Sequence, residues 1–181
     1  MGTESTIANG IVAIGDISNG NTSFHQKAQE NIKYHTFLEV FGLNPDDVNE
    51  IYDRTNVLKT QYYYQSSISI TAHAPYSMSH LLIEKVNAHC GDLLTIHNQE
   101  TESENSLFIN KTGFLYEQLA SFNNDIKNWT PTGKNSLPTY LPKFSTEKKK
   151  LLVHNTYSHK EDIDFAKAYS ENLNWCFCPN S

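Results

Sequence analysis

Three short stretches hold the residues most able to do chemistry: TAHAPYS (71–77), TIHNQE (95–100) and VHNTYS (153–158). Each carries a histidine (His73, His97 and His154) immediately after a run of apolar or β-branched residues. Neutral imidazole is the commonest protein ligand for a metal. Histidines delivered by neighbouring parallel strands can converge on one cation. Glu100 follows His97 by three residues. Residues i and i+3 of a straight strand face opposite sides. Glu100 therefore shares a site with His97 only if the strand stops near Asn98 and the chain turns inward, which the polar run after His97 permits. A carboxylate beside a metal-activated water serves as a proton shuttle. Taken one at a time, His97 and His154 read equally as hydrogen-bonded strand-end residues, and His73 as part of a proline-containing loop.

Other polar residues carry less. His25, His35, His80, His89 and His159 lack a strand-exit context and read as surface or core filler. Glu102 and Glu104 read as solvated residues of a first helical turn, where acids oppose the helix dipole. Asp16 near the end of the first strand is a weak candidate for the same rim. Cys176 and Cys178 share a strand face and read as packing, because a zinc knuckle needs a second Cys or His pair and none is spaced for it. The HxE…PCxxC pattern of the small zinc deaminases is absent. No GxGxxG or Walker-type loop follows a strand, and no GxSxG elbow is present.

The elements that must position these residues alternate. IVAIGDIS (11–18), YHTFLEVFG (34–42), SISITAHAPYS (67–77), LLTIH (93–97), LLVH (151–154) and NWCFCPNS (174–181) read as strands or strand exits. Phe24, Ala28 and Ile32 recur at helical spacing. Asn44-Pro45-Asp46-Asp47 is a strong helix start, and Val48, Ile51, Tyr52, Thr55 and Leu58 form that helix's inner face. Ser79 caps a helix whose Leu82, Ile83 and Val86 face inward. Helical spacing returns at Leu107, Phe108, Leu115 and Leu119, and the chain then reads as loop through NNDIKNWTPTGKNSLPTYLP. Ile163, Ala166 and Tyr169 mark a last helix. Strand, helix, strand repeated six times predicts an α/β fold of parallel strands with crossover helices, either a (β/α)₈ TIM barrel or an open doubly wound sheet. In a barrel all the strand exits lie on one rim.

Composition bounds the function. Apolar residues make up 38% of the 181 and charged residues 19%, a globular balance in one domain. A net charge of -6 and a pI near 5.7 argue against a sequence-independent nucleic-acid binder. The one basic run, Lys148 to Lys150, reads as a solvated helix end before a strand. No apolar run approaches the ~20 residues that span a bilayer. No secretory signal is visible and the three cysteines form no disulfide framework, so a cytoplasmic location is expected.

Together HAPYS, IHNQE with ESEN following, LLVHNT and CPNS, in that order at predicted strand ends, resemble the amidohydrolase superfamily, specifically its deaminase and chlorohydrolase-like branch. NGIVAIGDISN and PTGKNSLPTYLP resemble one subgroup of that branch. The resemblance covers essentially the whole chain. It implies a (β/α)₈ barrel holding one divalent metal, zinc or iron, that activates water. It also implies hydrolysis at a carbon of a small molecule bearing an amino or halide group. By motif, His97 and His154 match metal ligands at the ends of barrel strands five and six. Glu100 matches the general acid/base, and His73 matches the strand-four histidine that contacts substrate or the developing oxyanion.

The departures bear on completeness. The HxH pair of the family's first strand is missing, and so is the aspartate of its eighth. The chain is therefore expected to be a fragment, a single incomplete barrel domain over 1–181 covering barrel strands two to seven. Alone it is expected to be poorly stable and almost inactive. The alternative is a catalytically inactive truncated barrel acting as a structural or interaction module. Its raw edges would then call for a partner or a homo-oligomer. Substrate choice should sit on the loops, of which 121–142 is the longest. Trp129, Pro131 and Tyr140 suit it to a lid or pocket wall with Trp129 in substrate contact, or it is a plain surface excursion.

Overall fold

The computed structural model describes residues 3–29, 32–62, 67–122 and 125–179. Six parallel strands are present: β1 (Ala13–Ser18), β2 (Lys33–Val40), β3 (Ser67–Ala72), β4 (Leu93–Asn98), β5 (Lys149–His154) and β6 (Leu173–Cys176). β1, β2 and β3 pair in that order, as do β4, β5 and β6. The two ladders meet at β3 and β4. There the Thr71 hydroxyl, not the β3 backbone, accepts from Thr95 N at 2.7 Å and donates to Thr95 O at 2.6 Å. Two residues further along each strand, His97 N donates to His73 O at 2.8 Å. The six strands therefore form one arc in chain order, the arrangement of a barrel wall. Among the described residues the arc does not close, and β1 and β6 are its edges.

The helices are α1 (Thr3–Ala8), α2 (Phe24–Lys27), α3 (Val48–Thr60), α4 (His80–His89), α5 (Glu102–Asn110), α6 (Phe114–Phe122), α7 (Asp125–Asn128), α8 (Ser136–Tyr140) and α9 (Lys160–Tyr169), of which α3, α4, α8 and α9 pack on the strands and α5–α7 form a second apolar cluster. Strand parity decides which residues meet them. Leu38, Val40, Ile70, Ala72, Leu94, Ile96 and Leu152 point toward the helices and pack with Val48, Tyr52, Leu82, Ile83, Val86 and Ala166. The opposite, inner face is buried at its centre, at Phe37, Ser69, Thr71 and Thr95, and opens toward the edge strand β1, where Ile17 is 39% exposed.

The expected caps are present. Asn44 accepts from Asp46 N at 3.1 Å, opening a single 3₁₀ turn that runs into α3. Ser79 accepts from Leu82 N at 3.2 Å at the start of α4. Three expectations are corrected. The Phe24/Ala28/Ile32 period yields only the one turn of α2, with Phe24 and Ile32 buried beside it. The stretch expected as loop contains α7, α8 and a further 3₁₀ turn at Leu141–Lys143. The lysine run is not a solvated helix end: Lys149 opens β5, and Lys150 is wholly buried with its ammonium on Ser145 O and Lys148 O, each at 2.6 Å. Asn180 and Ser181 of the CPNS stretch lie outside the described residues. No helix among the described residues is long and apolar enough to cross a membrane.

Thr71→Val keeps side-chain volume but strips Thr95 N–H and C=O of their partner in a dry joint. Such an orphaned buried group costs about 1–3 kcal/mol. Urea unfolding should show a loss of about 2 kcal/mol for Thr71→Val. Ile17→Ala, on the open face, should lose about 0.5 kcal/mol or less.

Candidate active site at the strand exits

Glu39 and His97 are the penultimate residues of β2 and β4 and share the inner face by parity. His97 Nε2 lies 3.1 Å from Glu39 Oε1, and His97 Nδ1 lies 3.0 Å from His154 Nε2. His154 reaches this position against parity. As an even-numbered neighbour of Leu152 it should face the helices, but its φ of 76° re-aims it. Asn155 follows at φ 61°, and its side chain holds the bend by donating to Leu152 O at 2.8 Å. A left-handed non-glycine residue costs about 1–3 kcal/mol and persists only where its surroundings over-determine it. Glu100 Oε1 stands 3.6 Å from His154 Nε2, too far for a hydrogen bond but close enough for charge to be felt. The inward turn that Glu100 requires occurs at Gln99, whose φ is 46°.

His73 follows β3 and is wedged between strands, its N–H donating to Val40 O at 3.1 Å and its C=O accepting from His97 N. Its ring centroid is 5.2 Å from that of His97. The Ser77 hydroxyl donates to Ala74 O and so accepts at 2.7 Å from His73 Nδ1–H. By this hydrogen-bond pattern the neutral His73 ring keeps its lone pair on Nε2. The same reasoning orders the other two rings: His97 Nε2–H donates to Glu39, and His97 Nδ1 accepts from His154 Nε2–H. Burial lowers the pKa of His73. Burial, with the neighbouring His97, also lowers that of His154. Both rings are therefore neutral at pH 7 and able to act as ligands.

Donor atoms of Glu39, His73 and His97 all lie within 4.8 Å of one another. Two imidazoles and a buried carboxylate make a donor set suited to a zinc- or iron-like divalent cation. The residues present fit such a metal. The cluster contains a residue that sequence reasoning missed. Glu39 is an acid inside the apolar run FLEVFG, and its side chain is only 4% exposed. That misplaced charge was the available signal.

The structure thus brings His73, His97, His154 and Glu100 together and adds Glu39. Trp129 is elsewhere. It packs edge-to-face on Phe108 with centroids 5.2 Å apart. It lines a cavity of about 580 Å³ with Leu43, Pro75, Met78 and Tyr140, and none of the rim histidines borders that cavity. Tyr140 is buried and donates to Asn98 Oδ1 at 2.8 Å. Glu104 is also corrected. It is fully buried, not solvated, and burial pushes its carboxyl up to about 7.

No family model matches the chain, and no curated protein matches it. Solved structures do. Helicobacter pylori aminofutalosine deaminase in complex with methylthio-coformycin superposes with a TM-score of 0.78 at 21% identity, over 97% of this chain and 44% of that one. A second structure of that enzyme gives 0.75 at 21% identity, over 94% and 43%. Guanine deaminase from C. acetobutylicum with bound guanine gives 0.61 at 16% identity, over 97% and 41%. The fold matches part of the barrel of these deaminases. These neighbours are amidohydrolase superfamily deaminases. The chain spans less than half the length of each.

Proton NMR titration of the metal-free chain should place the His73 and His154 midpoints below the ordinary value of 6.5. A depressed folded pKa contributes stability that is present above the unfolded value and lost as pH falls through the folded one. The stability difference between the wild-type chain and His73→Asn should therefore shrink on acidification below pH 6.5. A His73 midpoint above 6.5 would contradict the buried, Ser77-oriented ring.

Proposed function

We propose that this chain is an incomplete barrel domain of a metal-dependent amidohydrolase. The reaction is hydrolysis of a non-peptide C–N bond in a small molecule, of the deaminase type, or of a C–halide bond at a similar carbon. The observation that carries this is the convergence of Glu39, His73 and His97 within 4.8 Å, with His154 and Glu100 on the same rim. His97 would be the central ligand, between Glu39 and His154, with His73 Nε2 at the same centre to meet substrate. A divalent cation, zinc or iron, supplies an acidified water when bound.

The chain's own residues do the rest. Glu100, with a side chain 37% exposed, can take the water's proton and pass it to the departing amine. His73, its lone pair on Nε2, is placed to accept a hydrogen bond from a substrate N–H. In the metal-free chain Glu39 accepts from His97 Nε2–H; with a cation held there the His97 proton would sit on Nδ1, facing His154, and leave Nε2 and the Glu39 carboxylate as donors. The neighbours support a small-molecule substrate, and one of them has guanine bound. An amino group on a nitrogen heterocycle is the leaving group to test first. A second reading, an inactive module, is favoured by the arc's open edges at β1 and β6, which would take a partner or another copy.

Zinc titration of the chain by calorimetry should show one site that His97→Ala removes. Within the longer protein, Glu100→Gln should keep the metal and lower ammonia release from amino-substituted purines by about 10²-fold or more. Halide release from a chlorinated analogue tests the second bond type. Absence of bound divalent metal from the longer protein, together with unchanged hydrolysis in His97→Ala, would falsify the assignment. A metal-free chain that sediments as an oligomer would favour the module.

A further inference from the structure

The proposed reaction needs Glu100 aimed at the site, yet its carboxylate stands 3.6 Å from His154 Nε2, beyond hydrogen-bond reach. Something else must aim it. Directly beneath the turn, in the first turn of α5, lies Glu104. Its Oε1 accepts from Gln99 N at 3.0 Å and its Oε2 from Glu100 N at 3.4 Å. The Ser136 hydroxyl from α8 also donates to Oε1. A glutamate three residues after a threonine N-cap normally reaches back to the cap's own N–H. Here the cap is Thr101, which makes no side-chain cap bond, and Glu104 reaches one and two residues further.

We infer that Glu104 is the positioning residue of this site: its carboxylate clamps the two amides of the Gln99–Glu100 turn and thereby aims Glu100 at His154. The inference rests on the functional reading above for what Glu100 does, but not for the clamp itself. Three features support it. First, the turn is left-handed at Gln99 and needs external support. Second, the rest of the turn is pinned by the same buried network. Gln99 Nε2 donates to Asn105 Oδ1 at 2.9 Å and Asp162 Oδ2 at 3.0 Å, and Ser158 Oγ donates to Gln99 Oε1 at 2.6 Å. Asn98 Nδ2 donates to Asn155 Oδ1 at 3.0 Å, which ties this exit to the His154 exit. Third, a fully buried carboxyl is costly to keep. The chain keeps one where two amides and a hydroxyl all require an acceptor. Glu100, Tyr76 and Tyr140 face it, and burial, with the charge of Glu104 second, pushes the Tyr76 phenol up to about 12. The segment after α7 is thereby more than a covering loop. Through Ser136 and Tyr140 it braces the exit turn.

Residue-resolved amide hydrogen exchange on the whole chain tests the clamp without a substrate. In the wild-type chain both the Gln99 and Glu100 amides should exchange slowly. Glu104→Gln offers one acceptor oxygen where two are used. One of the two amides should then exchange about tenfold faster or more while α3 and α4 keep wild-type rates. Ser136→Ala, a milder variant, should speed Gln99 alone. Zinc stoichiometry should be unchanged in both. In the longer protein Glu104→Gln should lower kcat about a hundredfold with KM unmoved, because Glu100 is misaimed while the substrate contacts remain. Wild-type protection of both amides in folded Glu104→Gln overturns the clamp. A kcat loss matched by a uniform loss of protection across α3 and α4 also overturns it, since that is a merely structural effect. If wild-type protein hydrolyses nothing but the local exchange change is seen, the functional reading fails and the clamp stands.

Discussion

Thr71 joins two ladders that would otherwise be separate sheets. β2 and β3 carry Glu39 and His73, while β4 and β5 carry His97 and His154, so the candidate site straddles the joint. A hydroxyl bridges there because it both donates and accepts, and it can therefore satisfy Thr95 N–H and C=O together. An apolar residue of the same size would leave both groups dry and unpaired. The 3.1 Å contact between His97 and Glu39, and the 5.2 Å approach of His97 to His73, rest on that side chain together with the His97 N–H to His73 C=O bond beside it.

The site is assembled at a conformational cost. Gln99, His154 and Asn155 are all left-handed, and none is glycine. The cost is held in place by a dry polar network of Asn98, Gln99, Glu104, Asn105, Ser136, Asn155 and Asp162, each buried. Every member has a partner, as burial of polar groups demands. Such a network tolerates few alternatives, which suits a turn that must aim one carboxylate. The apolar layer between strands and helices, by contrast, needs only volume and parity.

Much of the architecture was legible in the chain. Alternation of apolar runs and amphipathic stretches located all six strands and the α3, α4 and α9 helices, because burial imposes period 2 or 3.6 directly on residue type. The HAPYS, IHNQE and VHNT exits located three histidines and Glu100 for a related reason: polar residues appear where a buried strand meets the rim. Short elements escaped. α7 and α8 have too few residues to show a period, and Pro131, Gly133 and Pro138 signal loop. Glu104 was misread because a first-turn acid is usually solvated, and nothing local distinguishes one that is not.

Residue order alone therefore determined the parallel α/β class, the strand exits and the histidines that gather on one rim. These follow from local periodicity and from the rule that parallel strands end on the same side. Tertiary structure alone decided that Glu39 belongs with His73 and His97, that His154 faces inward against its parity, and that Glu104 lies dry beneath the turn. Each of these depends on groups brought together across 5 to 63 positions of the chain, and on backbone angles that a neighbouring strand imposes. Local composition carries no record of either.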